Sequence, residues 1–352
     1  VDAGLGLLVG DAAAVGQPGT EADLGDVEVA RAEAAVTHRE GLPCPAVRTR
    51  RLGAEGPEVS VVGLGCNNFG MRVDLEGTRA VVDAALAAGV TLFDTADIYG
   101  SKGGSESLLG EVLEGRRDRV VLATKFGGDM GDGTEARGSR AYIRKAIDAS
   151  LERLRTDVVD LYQYHTPDNV TPFEETFGAL DELVREGKVR YVGHSNLDAA
   201  QVQEVDALCR QKGFARPVSA QNEYSLMKRE AEEELLPVCE SLGLGVLPYF
   251  PLASGLLTGK YRRGEPRPEG TRLAGRDNVF TDEAFDRLEA LEAFAKERGL
   301  TLLQVAIGGL LARPVVASVI AGATKPEQVR ANVEASEWET TPDDVASLDA
   351  LR

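Results

Sequence analysis

Residues 159–194 read VDLYQYHTPDNVTPFEETFGALDELVREGKVRYVGH, and this stretch decides the fold. Val159 to His165 is a run rich in β-branched and aromatic side chains, which suit a pleated strand. It breaks at Thr166-Pro167-Asp168-Asn169, a cluster of turn formers. Phe173, Phe177, Leu180 and Val184 then recur at spacings of three and four, the pattern of one buried helical stripe. After Gly187 a second strand-like run extends from Val189 to His194. Strand, helix and strand in this order make a βαβ unit, whose two strands are parallel.

The unit repeats outward in both directions. Strands are expected at Val62 to Cys66, Thr91 to Thr95, Val120 to Phe126, Pro217 to Gln221, Gly245 to Tyr249 and Val316 to Ile320, making eight with the two above. The intervening segments carry single apolar stripes, such as Ile143, Ile147, Leu151 and Leu154. Eight βα units predict an α/β fold of the (β/α)8 TIM-barrel type, not an open doubly wound sheet. Val47 to Leu52 and Glu58 to Val62 flank a Gly-rich turn and predict an N-terminal β-hairpin. Two extra helices should pack outside the barrel. One is capped by Thr281 and carries Phe285, Leu288 and Leu291 ahead of the helical run Leu302 to Leu311; the other starts at Thr341-Pro342.

The chain has 352 residues, more than the roughly 250 a barrel needs. Residues 1–46 differ from the rest: they are rich in Ala, Gly and acids, with eight acidic residues against two arginines. They are expected to be a mostly disordered extension with at most a weak helix over Asp23 to Thr37, leaving 47–352 as the barrel. A net charge of -18 without a basic run argues against nucleic acid or an anionic membrane as a partner. There is neither an apolar stretch near the ~18 residues of a membrane span nor the pattern of a secretory signal. Cys44, Cys66, Cys209 and Cys239 are scattered without a CxxC, as expected of reduced thiols in a cytoplasmic protein.

In a closed parallel barrel the active face is where strands end at their C-termini. Asp94, Lys125 and His165 end three successive strands, and Tyr99 follows on the loop after Asp94. Each alone has an ordinary structural explanation as a helix cap, a surface residue or a satisfied core histidine. Together they have one chemistry. An ammonium beside a phenol stabilises the phenolate and should bring its acidity toward neutral pH. Asp94 would hold Lys125 and compensate its burial, and His165 would orient a carbonyl oxygen.

The segments Phe93-Asp94-Thr95-Ala96-Asp97-Ile98-Tyr99-Gly100, Gly187 to Asn196 and Tyr249 to Lys260 closely resemble signatures of the aldo-keto reductase family, and the resemblance covers residues 47 to 352 in order. It is nearest to the bacterial branch related to potassium-channel β subunits. The resemblance implies a catalytic tetrad of Asp94, Tyr99, Lys125 and His165, with Tyr99 as general acid and hydride delivered from the nicotinamide of NADP(H) to a small-molecule carbonyl substrate. It further implies Ser195, Asn196 and Gln221 near the carboxamide, Tyr249 stacked on the nicotinamide, and Phe250, Pro251, Leu252 and Gly255 along the pyrophosphate. Lys260 and Arg272 would add positive charge, with Gly322, Thr324, Gln328 and Asn332 around the adenosine. A cation at Arg272 favours NADP over NAD through the 2'-phosphate. Phe250 departs from the small hydroxyl residue usual there, and His194 falls at a variable position with no assigned role.

Competing motifs are incomplete. Gly63-Leu64-Gly65-Cys66-Asn67-Asn68 lacks the third glycine of a dinucleotide fingerprint, Gly255 to Lys260 is one residue short of a P-loop, and Gly193 to Leu197 lacks the closing glycine of a serine elbow. Thr324-Lys325-Pro326-Glu327 reads instead as a capping box opening the helix after the eighth strand, where barrels hold phosphate. The substrate pocket is expected from Asn67, Asn68 and Phe69, from 127–138 and from 166–168. The loop 127–138 has Met130 as its one apolar anchor, so mobility is expected. Asp129, Asp132 and Asp168 lack a calcium-loop spacing, and no metal is expected. Trp338 either lines the pocket or anchors the C-terminal segment. The rivals to a carbonyl reductase are a cofactor-holding regulatory subunit and a metal-dependent barrel enzyme, the latter short of ligands.

Overall fold

The computed structural model describes residues 47–273 and 275–352. The expected extension 1–46 and its helix lie outside the described residues. Eight parallel strands follow the sequence in ring order: β3 (Val62–Gly65), β4 (Leu92–Asp94), β5 (Val121–Phe126), β6 (Val159–Tyr164), β7 (Val189–Ser195), β8 (Pro217–Gln221), β9 (Gly245–Val246) and β10 (Val319–Gly322), which returns to pair with β3. The ring closes between the last two strands. Val246 N donates to Val315 O (2.8 Å), Ala317 N to Val246 O (3.0 Å) and Ile320 N to Pro248 O (3.1 Å). This is the (β/α)8 barrel.

Two strands differ from expectation at their ends. β9 stops at Val246, since Pro248 has no N–H to continue the ladder; Tyr249 rejoins by bonding Asn222 O at 3.0 Å. The last strand begins at Val319, three residues later than expected, because Val316 to Ser318 serve the seam with β9 before the chain pairs with β3.

The barrel helices are α1 (Leu75–Ala87), α2 (Tyr99–Val112), α3 (Arg140–Leu154), α4 (Phe173–Arg185), α5 (Ala199–Lys212), α6 (Leu235–Leu242), α8 (Leu302–Leu311) and α9 (Pro326–Ala335). The two extra helices are α7 (Asp282–Glu297), capped by Thr281, and α10 (Pro342–Asp349), capped by Thr341 with Pro342 in the first turn. Arg298, at the end of α7, donates to Asp344 of α10 at 2.7 Å. Trp338 packs on Phe294 of α7, ring centroids 6.2 Å apart, and against Gly308 of α8. It therefore anchors the C-terminal segment and does not line the pocket. Among the described residues no helix is long and apolar enough to cross a membrane.

The hairpin of β1 (Thr49–Arg51) and β2 (Glu58–Ser60) closes the end of the barrel opposite the active face. Its Leu52 and Val59 join the interior cluster formed by Leu92, Ala123, Leu161, Val218 and Leu247, and both are fully buried. Gly53 makes this fit possible: its φ is +70°, and a Cβ there would stand 2.5 Å from Val218 O. Leu52→Ala should cost about 3 kcal/mol in urea unfolding while leaving kcat/KM unchanged, since the cavity it opens is at the far end from the active face.

Candidate functional site

β4, β5 and β6 are adjacent and in register, so residues ending them converge on one mouth. Lys125 is fully buried, and its Nζ donates to Asp94 Oδ2 at 2.6 Å and to Thr95 O at 2.9 Å. The same ammonium lies 5.0 Å from the centroid of the Tyr99 ring. His165 meets Tyr99 edge-on, ring centroids 5.8 Å apart at 84°. The other oxygen of Asp94 accepts from Gln163 (3.2 Å) and Gln221 (2.9 Å). The three strand-end residues and Tyr99, expected to meet, are therefore in one cluster, and Gln163 joins them from within β6. Its signal in the sequence was its inward register two residues before His165 on the same strand.

Tyr99 sits at the head of α2, whose opening turn is not α-helical. Gly100, Ser101, Lys102 and Gly103 all have left-handed φ, from 61° to 103°. For Ser101 and Lys102 this costs roughly 1 kcal/mol each. Gly100 has no alternative, since a Cβ would lie 2.3 Å from Ser105 N. Strain of this kind is held in place only by surrounding packing and fixes the direction of Tyr99.

Electrostatics depart from expectation at one point. Burial raises the Tyr99 hydroxyl above its ordinary value; Lys125 pulls it down, Asp94 and Cys66 push it up, and the net is upward. The ammonium thus limits the rise without bringing the phenol toward neutrality. Burial pulls Lys125 down, but Asp94 and Tyr99 outweigh it, so its ammonium is held above the usual lysine value. Burial, with Lys125 adding to it, depresses His165 to about 3, so its imidazole is neutral. Its Nδ1 is buried with no partner among the described residues. His194, on the same sheet, is also depressed to about 3 by burial.

The cluster opens into a cavity of about 750 Å³. Of the expected catalytic and cofactor residues only Lys125 does not line it, being buried beneath. Asp94, Tyr99 and His165 line one end, with Ser195, Asn196, Gln221 and Tyr249 beside them. Phe250, Pro251, Leu252, Gly255, Lys260 and Arg272 follow along the wall, and Gly322, Thr324, Gln328 and Asn332 complete the far end. Tyr249 Oη donates to Asn196 Oδ1 at 2.8 Å, and Asn196 Nδ2 to His165 O at 2.9 Å, tying the two regions together. Asn196, Phe250, Ala253 and Ser254 are left-handed without being glycine, so strain gathers along this wall.

Arg72 was missed by sequence reading, which offered no spacing or motif to single it out. It lines the cavity with Lys260 and Arg272, and none of the three has a carboxylate partner among the described residues. Arg272 packs over the Phe250 ring at 5.2 Å. Burial, then Arg72 and Arg276, pull its guanidinium below the usual value, the signature of a cation set against other cations. An anion is what such a place accepts. The donor set fits an extended, multiply anionic cofactor with one aromatic end.

Two local expectations are corrected. Thr324 and Glu327 do not form a capping box: Lys325 is the N-cap of α9, Pro326 occupies the first turn, and Gln328 reaches back to Thr324 N (2.7 Å) and its hydroxyl (3.1 Å). Phe69 is fully buried, and neither 127–138 nor 166–168 lines the cavity, whereas Asn67 and Asn68 do. The loop 127–138 has polar anchors instead of apolar ones. Asp129 and Asp132 accept the backbone N–H two residues on, and Asp168 accepts from Gly138 N at 2.6 Å.

A closed barrel with a buried Lys-Asp pair, a phenol and an imidazole at the mouth of a cationic cleft defines an oxidoreductase class. The model of the aldo/keto reductase family matches residues 61–352, and the chain belongs to that family. A Bacillus subtilis (strain 168) protein described as the uncharacterized oxidoreductase YrpG is 39% identical over 297 residues, spanning 81% of this chain and 90% of the relative. The chain is an oxidoreductase of a family whose members generally use nicotinamide cofactors.

Because both buried histidines lie below their ordinary value, the native state loses stability as pH falls through 6.5, where the unfolded chain takes up the protons. NMR of the imidazole resonances should find His165 and His194 still neutral at pH 5; a midpoint near 6.5 for either would contradict its environment.

Proposed function

We propose that the protein reduces aldehydes and ketones to alcohols with NADPH, with Asp94, Tyr99, Lys125 and His165 as its catalytic set. The observation that carries the reading is the Lys125 ammonium, fully buried, paired to Asp94 at 2.6 Å and set beside the Tyr99 ring. When bound, reduced nicotinamide supplies the hydride.

Tyr99 keeps its proton at neutral pH and gives it to the carbonyl oxygen as negative charge develops there. The phenolate left behind faces Lys125, whose charge offsets it inside the barrel. Asp94 keeps Lys125 protonated and aimed, and Gln163 and Gln221 hold Asp94. Neutral His165 donates one hydrogen bond to the same carbonyl oxygen. Because it carries no charge, it does not compete with Tyr99 as an acid.

Arg272, with Lys260 and Arg72 nearby, supports NADP(H) over NAD(H), because the 2'-phosphate distinguishes the two. Tyr249 offers a face for the nicotinamide, and Ser195, Asn196 and Gln221 offer amide partners. Pro251, Leu252 and Gly255 flank the phosphates, with Gly322, Thr324, Gln328 and Asn332 at the adenosine end. Phe250 cannot supply the hydrogen bond of a hydroxyl residue; the Arg272 guanidinium resting on its ring is available to the phosphates in its stead.

Purified protein should oxidise NADPH when offered a panel of aromatic and aliphatic aldehydes, followed by loss of NADPH absorbance. Tyr99→Phe should lower kcat by about 10³ with NADPH affinity nearly unchanged. No turnover across the panel, with NADPH still bound, would instead favour a cofactor-holding regulatory subunit.

Loss of a charged contact to phosphate costs about 1.5–3 kcal/mol, so Arg272→Ala should weaken NADPH binding by about tenfold or more. NADH binding, read by the same fluorescence titration, should barely change. Equal losses for the two cofactors would remove the case for NADP.

A further inference from the structure

Behind the strand ends, on the side away from the cleft, lies a second polar cluster that the reaction does not use. Asp97 is two residues before Tyr99 and only 2% exposed, and its Oδ1 has no hydrogen-bond partner among the described residues. Its backbone N–H donates to Lys125 O at 3.1 Å, so the segment carrying Asp97 is fastened to the strand carrying the buried ammonium. Glu106 of α2 is fully buried and accepts from Thr124 Oγ1 at 2.6 Å and from Arg153 Nε at 2.7 Å. Arg153 pairs with Glu106, and its charge also acts on Asp97. It also bears on the left-handed turn that follows Tyr99: a Cβ at Gly103 would lie 2.6 Å from Arg153 Cδ. The hydroxyl of Tyr162, on β6, is buried nearby and likewise unpartnered.

We propose that Asp97 is a positioning residue for Tyr99, and that its proton decides whether Arg153 stays on Glu106 and keeps the turn bearing Tyr99 in its working shape. The proposal rests on the reading of Tyr99 as proton donor. The groups facing Asp97 are Glu106 from α2, Arg153 and Tyr142 from α3, Lys125 from β5 and Tyr162 from β6. Burial raises the Asp97 carboxyl to about 7, and Glu106 adds to the rise; Arg153, the Ile98 N–H and Lys125 oppose it. Below that pH Asp97 is neutral and Arg153 answers to Glu106 alone. Above it the proton leaves to water, and two buried carboxylates compete for one guanidinium. Arg153 is then drawn off the Gly103 backbone, and the strained turn loses the wall that holds it. Tyr99 is displaced from the carbonyl oxygen while the cofactor wall, formed by other strands, is untouched.

The test compares the full-length protein with Asp97→Asn, which keeps the shape and cannot ionise. Because the folded carboxyl is raised above its unfolded value, the wild type loses stability as pH rises from about 4 to about 7. Its Tm should therefore fall relative to Asp97→Asn between pH 5 and 7 and run parallel above pH 8; a constant gap throughout overturns the proposal. In aldehyde reduction, wild-type kcat should drop several-fold as pH rises through 7 with KM for the aldehyde little changed, and Asp97→Asn should hold kcat level there. An unaltered descending limb in the variant overturns the positioning role. Should Asp97→Asn not fold, Glu106→Gln serves: it leaves Asp97 no rival for Arg153, so the wild-type descending limb must disappear, and an unmoved limb is fatal. The unfolding measurement involves no turnover, so full activity in Tyr99→Phe would count against the donor assignment while leaving the Asp97 titration readable.

Discussion

A lysine ammonium with no exposure to water loses its proton unless a partner repays its desolvation, and at this barrel mouth the partner is Asp94, 2.6 Å away. The rest of the site is arranged around that pair. Asp94 is held from below by Gln163 and Gln221, so it can neither swing toward water nor take a second cation. Lys125 is held by Asp94 and by Thr95 O, leaving its charge directed at the Tyr99 ring. Removing either ion would leave the other buried and unpaired, at about 3–5 kcal/mol.

A buried pair of this kind needs walls that do not yield, and the architecture supplies them. The hairpin seals the opposite end with Leu52 and Val59, so the interior is packed from that end and the mouth is the single place where polar strand ends gather. The long cleft leading from the mouth is formed mainly by the last two βα connections, with Asn67, Asn68 and Arg72 reaching it from the first. There the backbone carries its strain in non-glycine left-handed residues, and three cations stand without counter-ions among the described residues. The end around Lys125 and Asp94 is compact and internally paired, while the far end is open and electrostatically unbalanced.

Burial decides more of the electrostatics than charge does. An ammonium beside a phenol suggests a lowered phenol pKa, yet desolvation and the Asp94 carboxylate carry Tyr99 the other way. The same desolvation makes His165 neutral and raises Asp97 into the neutral range. None of this is a property of residue type or spacing, because it depends on how many atoms of the fold surround each group.

The barrel was legible in the sequence because strand and helix periods are local: Val159 to His165 and the stripe of Phe173, Phe177, Leu180 and Val184 need no distant partner to be read. The three strand-end residues, with Tyr99 on the loop after one of them, were legible for the same reason, since a parallel ring brings consecutive strand ends to one mouth. Arg72 could not be read, because its place on the cleft depends on a loop path with no pattern of its own. The N-cap falls at Lys325, one residue later than expected, because the Gln328 amide oxygen takes the Thr324 N–H and hydroxyl that the expected capping box would use, and only coordinates show which wins. The left-handed turn after Tyr99, the Glu106–Arg153 brace and the unpartnered carboxyl of Asp97 belong wholly to tertiary structure. They arise where side chains distant in sequence are packed together by the fold.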